Sequence, residues 1–95
     1  MTLKVVATPS FDRAVKKMHA QDKKVVDKTV GEIVANPAIG EEKKGDLAGV
    51  FVYKFKVNKQ EILLAYRLQP NKKKPQEIVL LNIGSHENFY SAMKR

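Results

Sequence analysis

The apolar residues of this chain change period at Val50, and that change constrains the fold more than any other feature. Before it they recur at helical spacing: Phe11, Ala14, Val15 and Met18, then Val25, Val26, Val30, Ile33 and Val34. From Val50 on they alternate. Phe51, Tyr53, Phe55 and Val57 fall on one face of a strand, and Val50, Val52, Lys54 and Lys56 on the other. Helices are thus segregated from the main run of strands, which is the pattern of an α+β sandwich.

The punctuation sharpens this reading. Leu3 to Ala7 is a short apolar run that reads as a strand. Thr8–Pro9 reads as an N-cap with proline at the first helical position. A break at His19 to Asp22 separates two helices, and Asn36–Pro37 ends the second, because the residue before proline is pushed out of the helical region. Together they form an antiparallel helical hairpin. Ala38 to Gly49 reads as a loop. Asn58–Lys59 is a short turn between alternating runs, with Ile62, Leu64, Tyr66 and Leu68 interleaved with Glu61, Leu63, Ala65 and Arg67. Gln69 to Gln76 is a second hairpin loop, and Glu77 to Gly84 a third strand of this meander. Ser85 then caps a short helix carrying Phe89, Tyr90 and Met93. The expected order is βααβββα. It gives a small antiparallel sheet with the N-terminal helical hairpin packed on one face and a short C-terminal helix, all in one domain, 1–95. The N-terminal strand must join that sheet to satisfy its backbone, and Lys54 and Lys56 emerge together on the face away from the helices.

Composition narrows the function. The chain has 95 residues, so it buries only about 60–65% of its unfolded surface. It has no cysteine, which excludes a disulfide scaffold, a thiolate metal site and a cysteine nucleophile. Two histidines supply a buried metal centre poorly, and no cofactor is implied. Apolar runs such as Ile62 to Ala65 are too short to span a bilayer, and no signal peptide is visible, so a cytoplasmic protein without membrane contact is expected. The net charge is +8. Up to Ala48 there are nine basic residues against seven acidic; beyond it there are nine against three. The excess therefore lies in the strand-forming half, and it fits either a polyanion partner or plain solubility.

Several side chains there can carry chemistry. Lys54 and Lys56, two apart on a strand, stand side by side about 7 Å apart, a spacing that suits phosphate. Glu61, just after the turn, is either a general base or the cross-strand ion partner of a lysine. Arg67 is one of three arginines among fifteen lysines; it is either a planar phosphate fork or a surface cation. His86 opens the last helix, where it is either a proton-transfer group or an exposed imidazole. Tyr90, four residues on, either stacks a base or anchors the helix in the core. Lys72, Lys73 and Lys74 in the second hairpin loop are candidates for RNA docking. Cations, a carboxylate, an imidazole and an aromatic make an inventory for metal-free RNA cleavage: the 2′-hydroxyl attacks the adjacent phosphate, a base and an acid move protons, and cations hold the added charge.

These residues also resemble a known family. Tyr53-Lys54-Phe55-Lys56, then Ile62-Leu63-Leu64-Ala65-Tyr66-Arg67, then Ile83-Gly84-Ser85-His86-Glu87-Asn88-Phe89-Tyr90 resemble, in this order, the RelE/ParE superfamily of bacterial toxins, from the first strand to the final helix. Lys54 and Lys56 match the paired lysines of RelE. RelE has arginines where this chain has Leu63 and His86. The ending Gly84-Ser85-His86 is similar to the YafQ-like branch, whose histidine is catalytic and which has an acidic residue where Glu61 stands; Tyr90 matches a shared aromatic. Arg67 has no certain counterpart. The resemblance, closest to the RelE/StbE- or YafQ-like branch, implies the toxin of a type II toxin–antitoxin module. It implies a ribosome-dependent mRNA endoribonuclease that inhibits translation. Its partners would be the ribosome, mRNA and a small acidic antitoxin that is partly disordered when free and through which the complex can bind operator DNA. The ParE branch implies the alternative of a DNA gyrase inhibitor, and a degenerate site would leave a basic binding module.

Overall fold

A computed structural model describes residues 3–57, 59–69 and 73–85. Strand β1 (Lys4–Ala7) leads into helix α1 (Pro9–Lys16) and helix α2 (Ala20–Ala35). A two-residue strand β2 (Glu41–Glu42) and a 3-10 turn (Gly45–Leu47) follow. The long strands β3 (Val50–Val57), β4 (Gln60–Gln69) and β5 (Glu77–Ser85) complete the described chain. They form one sheet in the order β1-β5-β4-β3-β2.

The helix starts where the sequence places it. The Thr8 hydroxyl accepts from the Phe11 N–H at 3.4 Å, and Pro9 occupies the first turn. The same hydroxyl faces the carbonyl oxygens of Leu80 and Leu81, each at 3.0 Å, and the Thr8 N–H donates to Leu80 at 3.0 Å. Thr8 therefore caps α1 and ties it to β5 at the point where that strand bulges: Ala65 pairs with Asn82 but Tyr66 with Leu80, leaving Leu81 as the extra residue. The second helix begins at Ala20, three residues earlier than the break at His19 to Asp22 suggests, with His19 at its N-cap position.

The core lies between the helices and one sheet face. Phe11, Val26 and Ile33 pack against Phe51, Val57, Ile62, Leu64, Tyr66, Leu68, Ile78, Leu80 and Ile83. Thr29 is buried among them because its hydroxyl donates back to the Val25 carbonyl at 2.8 Å, leaving no orphan donor.

Three features depart from the simple meander. The sheet is mixed, because β1 runs parallel to β5; the long connection that a parallel pair needs runs through both helices and then β2, β3 and β4. The segment 38–49 is not all loop, since Glu41 and Glu42 pair with Val52 and Phe51 at the edge of β3. Two glutamates carry no alternation and little strand preference, so only the neighbouring strand reveals them. The face away from the helices also holds a small buried apolar cluster of Val50, Val52, Leu63 and Ala65, packed with Leu47 and Leu81, so that face is open only towards its ends. The expected C-terminal helix, and Asn58 of the first turn, lie outside the described residues.

Candidate functional site

The β3–β4 hairpin brings three of the candidate residues together. Lys54 and Lys56 are exposed on the face opposite the helices, as the alternation requires. Lys56 lies directly across from Glu61, and Lys54 across from Leu63, which in turn pairs with Gly84. Leu63 is fully buried, so the sheet is covered at that point, whereas Lys54 and Lys56 beside it are exposed. Glu61 is exposed, and although it opposes Lys56 no ion pair joins them. A carboxylate and two cations thus sit exposed at one end of the face away from the helices, where the two cations can meet a bound anion. Strand β5 reaches this end too: Ser85, its last residue, pairs with Ile62. His86, Tyr90 and Lys72 lie outside the described residues.

A second acidic group borders the cluster. Glu41 Oε1 accepts from Lys43 Nζ at 2.9 Å. That hydrogen bond, the Lys43 charge and, more weakly, the Lys54 charge hold its carboxyl below the usual carboxylate range. Glu41, Lys43, Val52, Tyr53, Lys54 and Ile39 line a shallow cavity of about 260 Å³. Nothing in the sequence singles out Glu41: it stands in a glycine-containing, charged segment with no spacing signal, and only its pairing with Val52 sets it beside Lys54.

Arg67 is exposed on the same face but elsewhere. It pairs with Val50 and Val79, four positions along β4 from the residue opposite Lys54, or about 13 Å. The apolar cluster lies between them, so Arg67 does not share a phosphate with Lys54 and Lys56. Lys73 and Lys74 are exposed in the loop at that far end of β4. There, Lys4, Gln69, Gln76, Glu77 and Val79 line a wider depression.

Tyr66, beside Arg67 in sequence, belongs to the scaffold. It is fully buried and stacks on Phe51 with ring centroids 5.4 Å apart. Its hydroxyl donates to the Pro37 carbonyl at 2.7 Å and accepts from the Gly40 N–H at 3.0 Å. A Cβ at Gly40 would lie 2.8 Å from that hydroxyl, so only glycine permits the approach. Burial pushes the Tyr66 phenol above its usual value, with the Gly40 hydrogen bond opposing.

Among the described residues no group of three or more His, Cys, Asp or Glu side chains is placed to hold a metal ion, and no helix is long and apolar enough to cross a membrane.

Comparison with known proteins agrees with this architecture. A chain of the Mycobacterium tuberculosis RelBE2 toxin–antitoxin complex superposes with a TM-score of 0.72 at 20% identity, covering 90% of this chain and 100% of that one. A free Escherichia coli RelE variant gives 0.72 at 15% identity, covering 96% and 93%. The archaeal RelE–RelB complex of Pyrococcus horikoshii gives 0.57 at 14% identity, covering 90% and 96%. No curated protein sequence matches the chain. The family of ParE-like toxins of type II bacterial toxin–antitoxin systems matches residues 5–94. A RelE-like sheet, an open basic face and a family match over nearly the whole chain converge: this protein belongs to the ParE-like toxins of type II toxin–antitoxin systems, within the RelE/ParE superfamily.

Proposed function

We propose that this toxin is a ribosome-dependent mRNA endoribonuclease. The observation that carries the proposal is the placement of Lys54, Lys56 and Glu61 at one end of the open face, with no ion pair between Lys56 and Glu61. A phosphate seated there meets two cations that stabilise the pentavalent transition state as negative charge accumulates. Glu61 and His86 share proton transfer: one takes the proton of the attacking 2′-hydroxyl and the other protonates the leaving 5′-oxygen. Tyr90 stacks on a base and orients the substrate. Arg67, with Lys72, Lys73 and Lys74, holds ribosomal and messenger RNA away from the cut. The toxin is neutralised by an acidic antitoxin that covers the basic face, as its structural relatives are complexed in RelBE assemblies. That protein would also carry the complex to operator DNA, and the system would act in the cytoplasm.

The test is cleavage of mRNA on translating ribosomes by wild type and by His86→Ala. Cleavage by wild type and its loss in the variant support the mechanism. Equal cleavage by both removes His86 from it. The ParE-like character of the family match favours one second reading, inhibition of DNA gyrase, for which a supercoiling assay is the discriminating measurement.

A further inference from the structure

The far end of the sheet holds a depression that the proposed reaction does not use. Its volume is about 500 Å³, and Lys4, Gln69, Gln76, Glu77 and Val79 line it. The register explains how residues so distant in sequence meet there. Glu77 pairs with Lys4 on one side and with Gln69 on the other; Val79, two residues further along β5, pairs with Arg67. Paired residues share a face. Tyr66 and Leu68 fill the core, so Arg67 and Gln69 stand on the face away from the helices, and Lys4, Glu77 and Val79 stand with them. Two backbone hydrogen bonds tie the rim together. The Gln76 N–H donates to the Gln69 carbonyl at 2.7 Å, and the Lys4 N–H to the Gln76 carbonyl at 3.1 Å. Three segments of chain are thereby fixed before any ligand arrives.

The side chains around this depression are available to a ligand. Among the described residues, no ion pair or side-chain hydrogen bond engages Lys4, Gln69, Gln76 or Glu77, although Lys4 and Glu77 are register partners of opposite charge. At the cavity near β2, by contrast, Lys43 already holds the Glu41 carboxylate. A carboxylate, two amides and an ammonium around a half-buried valine supply acceptors, donors and an apolar surface within one small site. That combination reads the edge of an unstacked nucleobase. Guanine alone among the four RNA bases presents two adjacent donors on one edge, N1–H and the N2 amino group, and one carboxylate accepts both. Arg67, exposed beside Val79, supplies a planar cation for phosphate. The volume suits one nucleotide, since small-molecule sites run from roughly 300 to 1,000 Å³. Lys73 and Lys74, exposed in the adjoining loop, favour a nucleotide within a polyanion over an isolated base.

We propose that this depression binds one unpaired guanine nucleotide of an RNA strand. Glu77 accepts from N1–H and the N2 amino group, Gln69 and Gln76 meet the remaining edge atoms, Val79 lies under the ring, and Arg67 and Lys4 hold the flanking phosphates. The site stands six positions along β4 from Leu63, the residue opposite Lys54, or about 20 Å. It therefore selects the strand that is held, not the bond that is cut. The proposal deepens the reading of this end as an RNA-holding surface, and rests on that reading only for the source of the nucleotide.

The experiment uses the full chain and short 2′-O-methyl oligouridines in which one central base is varied; without a free 2′-hydroxyl these strands cannot be cut. Affinity is read by fluorescence anisotropy and location by amide chemical shifts. The strand with a central guanine is expected to bind roughly tenfold or more tightly than those with adenine, cytosine or uracil. Its shifts should centre on Gln69, Gln76, Glu77 and Val79, with Lys54 and Lys56 little moved. Glu77→Gln should lose the guanine preference and keep the weaker binding common to all four strands. Arg67→Ala should weaken all four alike and keep the preference. Equal binding of the four strands overturns the proposal, as does a guanine preference that survives Glu77→Gln or whose shifts centre on Lys54 and Lys56. Guanosine monophosphate alone forms a further arm. If the strands bind at this end without discriminating among bases, the guanine site falls and the RNA-holding reading stands. If guanosine monophosphate shifts these residues and no strand does, the RNA source falls and the guanine site stands.

Discussion

On β4, Tyr66 and Arg67 are neighbours in sequence and opposites in environment. Tyr66 is fully buried, stacked on Phe51 and hydrogen-bonded at both lone pair and proton. Arg67 is exposed on the other side of the same backbone. The contrast extends to the two faces of the sheet. The helix-covered face is filled from Val57 to Ile83 by apolar side chains, where a smaller residue leaves a cavity and a larger one overpacks. Among the described residues, the other face holds a small buried apolar cluster between two exposed basic ends. The first face fixes the shape; under the proposed function the second recognises a polyanion. Substitutions of the buried residues should therefore cost stability, and substitutions of the exposed Lys54, Lys56, Glu61 and Arg67 should cost function with the fold intact.

The largest stability effect is expected from Leu64→Ala, which empties a fully buried site and should cost about 2–5 kcal/mol, read by denaturant unfolding. Tyr66→Phe comes next. It leaves the Pro37 carbonyl and the Gly40 N–H without their partner, at about 1–3 kcal/mol. It also has a pH signature. The folded-state pKa of Tyr66 lies above the ordinary phenol value, so its contribution is complete below the unfolded pKa and is lost as pH rises through the folded one. Wild type should lose stability on that alkaline limb, and Tyr66→Phe should lack this part of the loss. Thr8→Ala removes the α1 cap and the tie to the β5 bulge, for about 1–2 kcal/mol, seen as a lower unfolding midpoint. Arg67→Ala should be the smallest of these, within about 0.5 kcal/mol in stability. Ribosome association should weaken, and cleavage once bound should stay near wild type. If Arg67→Ala instead abolishes cleavage of bound mRNA, the division between the two ends of the open face is wrong.

The same contrast explains what could be read beforehand. Alternation in β3 placed Lys54 and Lys56 on the open face because burial of Phe51 and Val57 leaves them nowhere else to go. Thr8–Pro9 marked the start of α1 because capping is local chemistry. What was hidden depends on residues far apart in sequence. Tyr66 meets Pro37 and Gly40 across 29 and 26 positions, and nothing near Tyr66 announces them. Strand β2 exists because β3 offers it an edge, not because Glu41 and Glu42 favour extension. The bulge at Leu81 moves the register by one residue, which alternation alone does not reveal. Arg67 was grouped with the lysines by charge, and only the register shows that it stands about 13 Å along the sheet from Lys54.

The account rests on the open end of the β3–β4 hairpin being the working surface, and one comparison tests it most directly. Wild type and the Lys54→Ala/Lys56→Ala double variant are each added to translating ribosomes, with unfolding curves recorded in parallel. The account predicts cleavage by wild type, a loss of roughly 100- to 1000-fold in the variant, and superimposable unfolding curves. Undiminished cleavage by the double variant, or no cleavage by wild type, would contradict it.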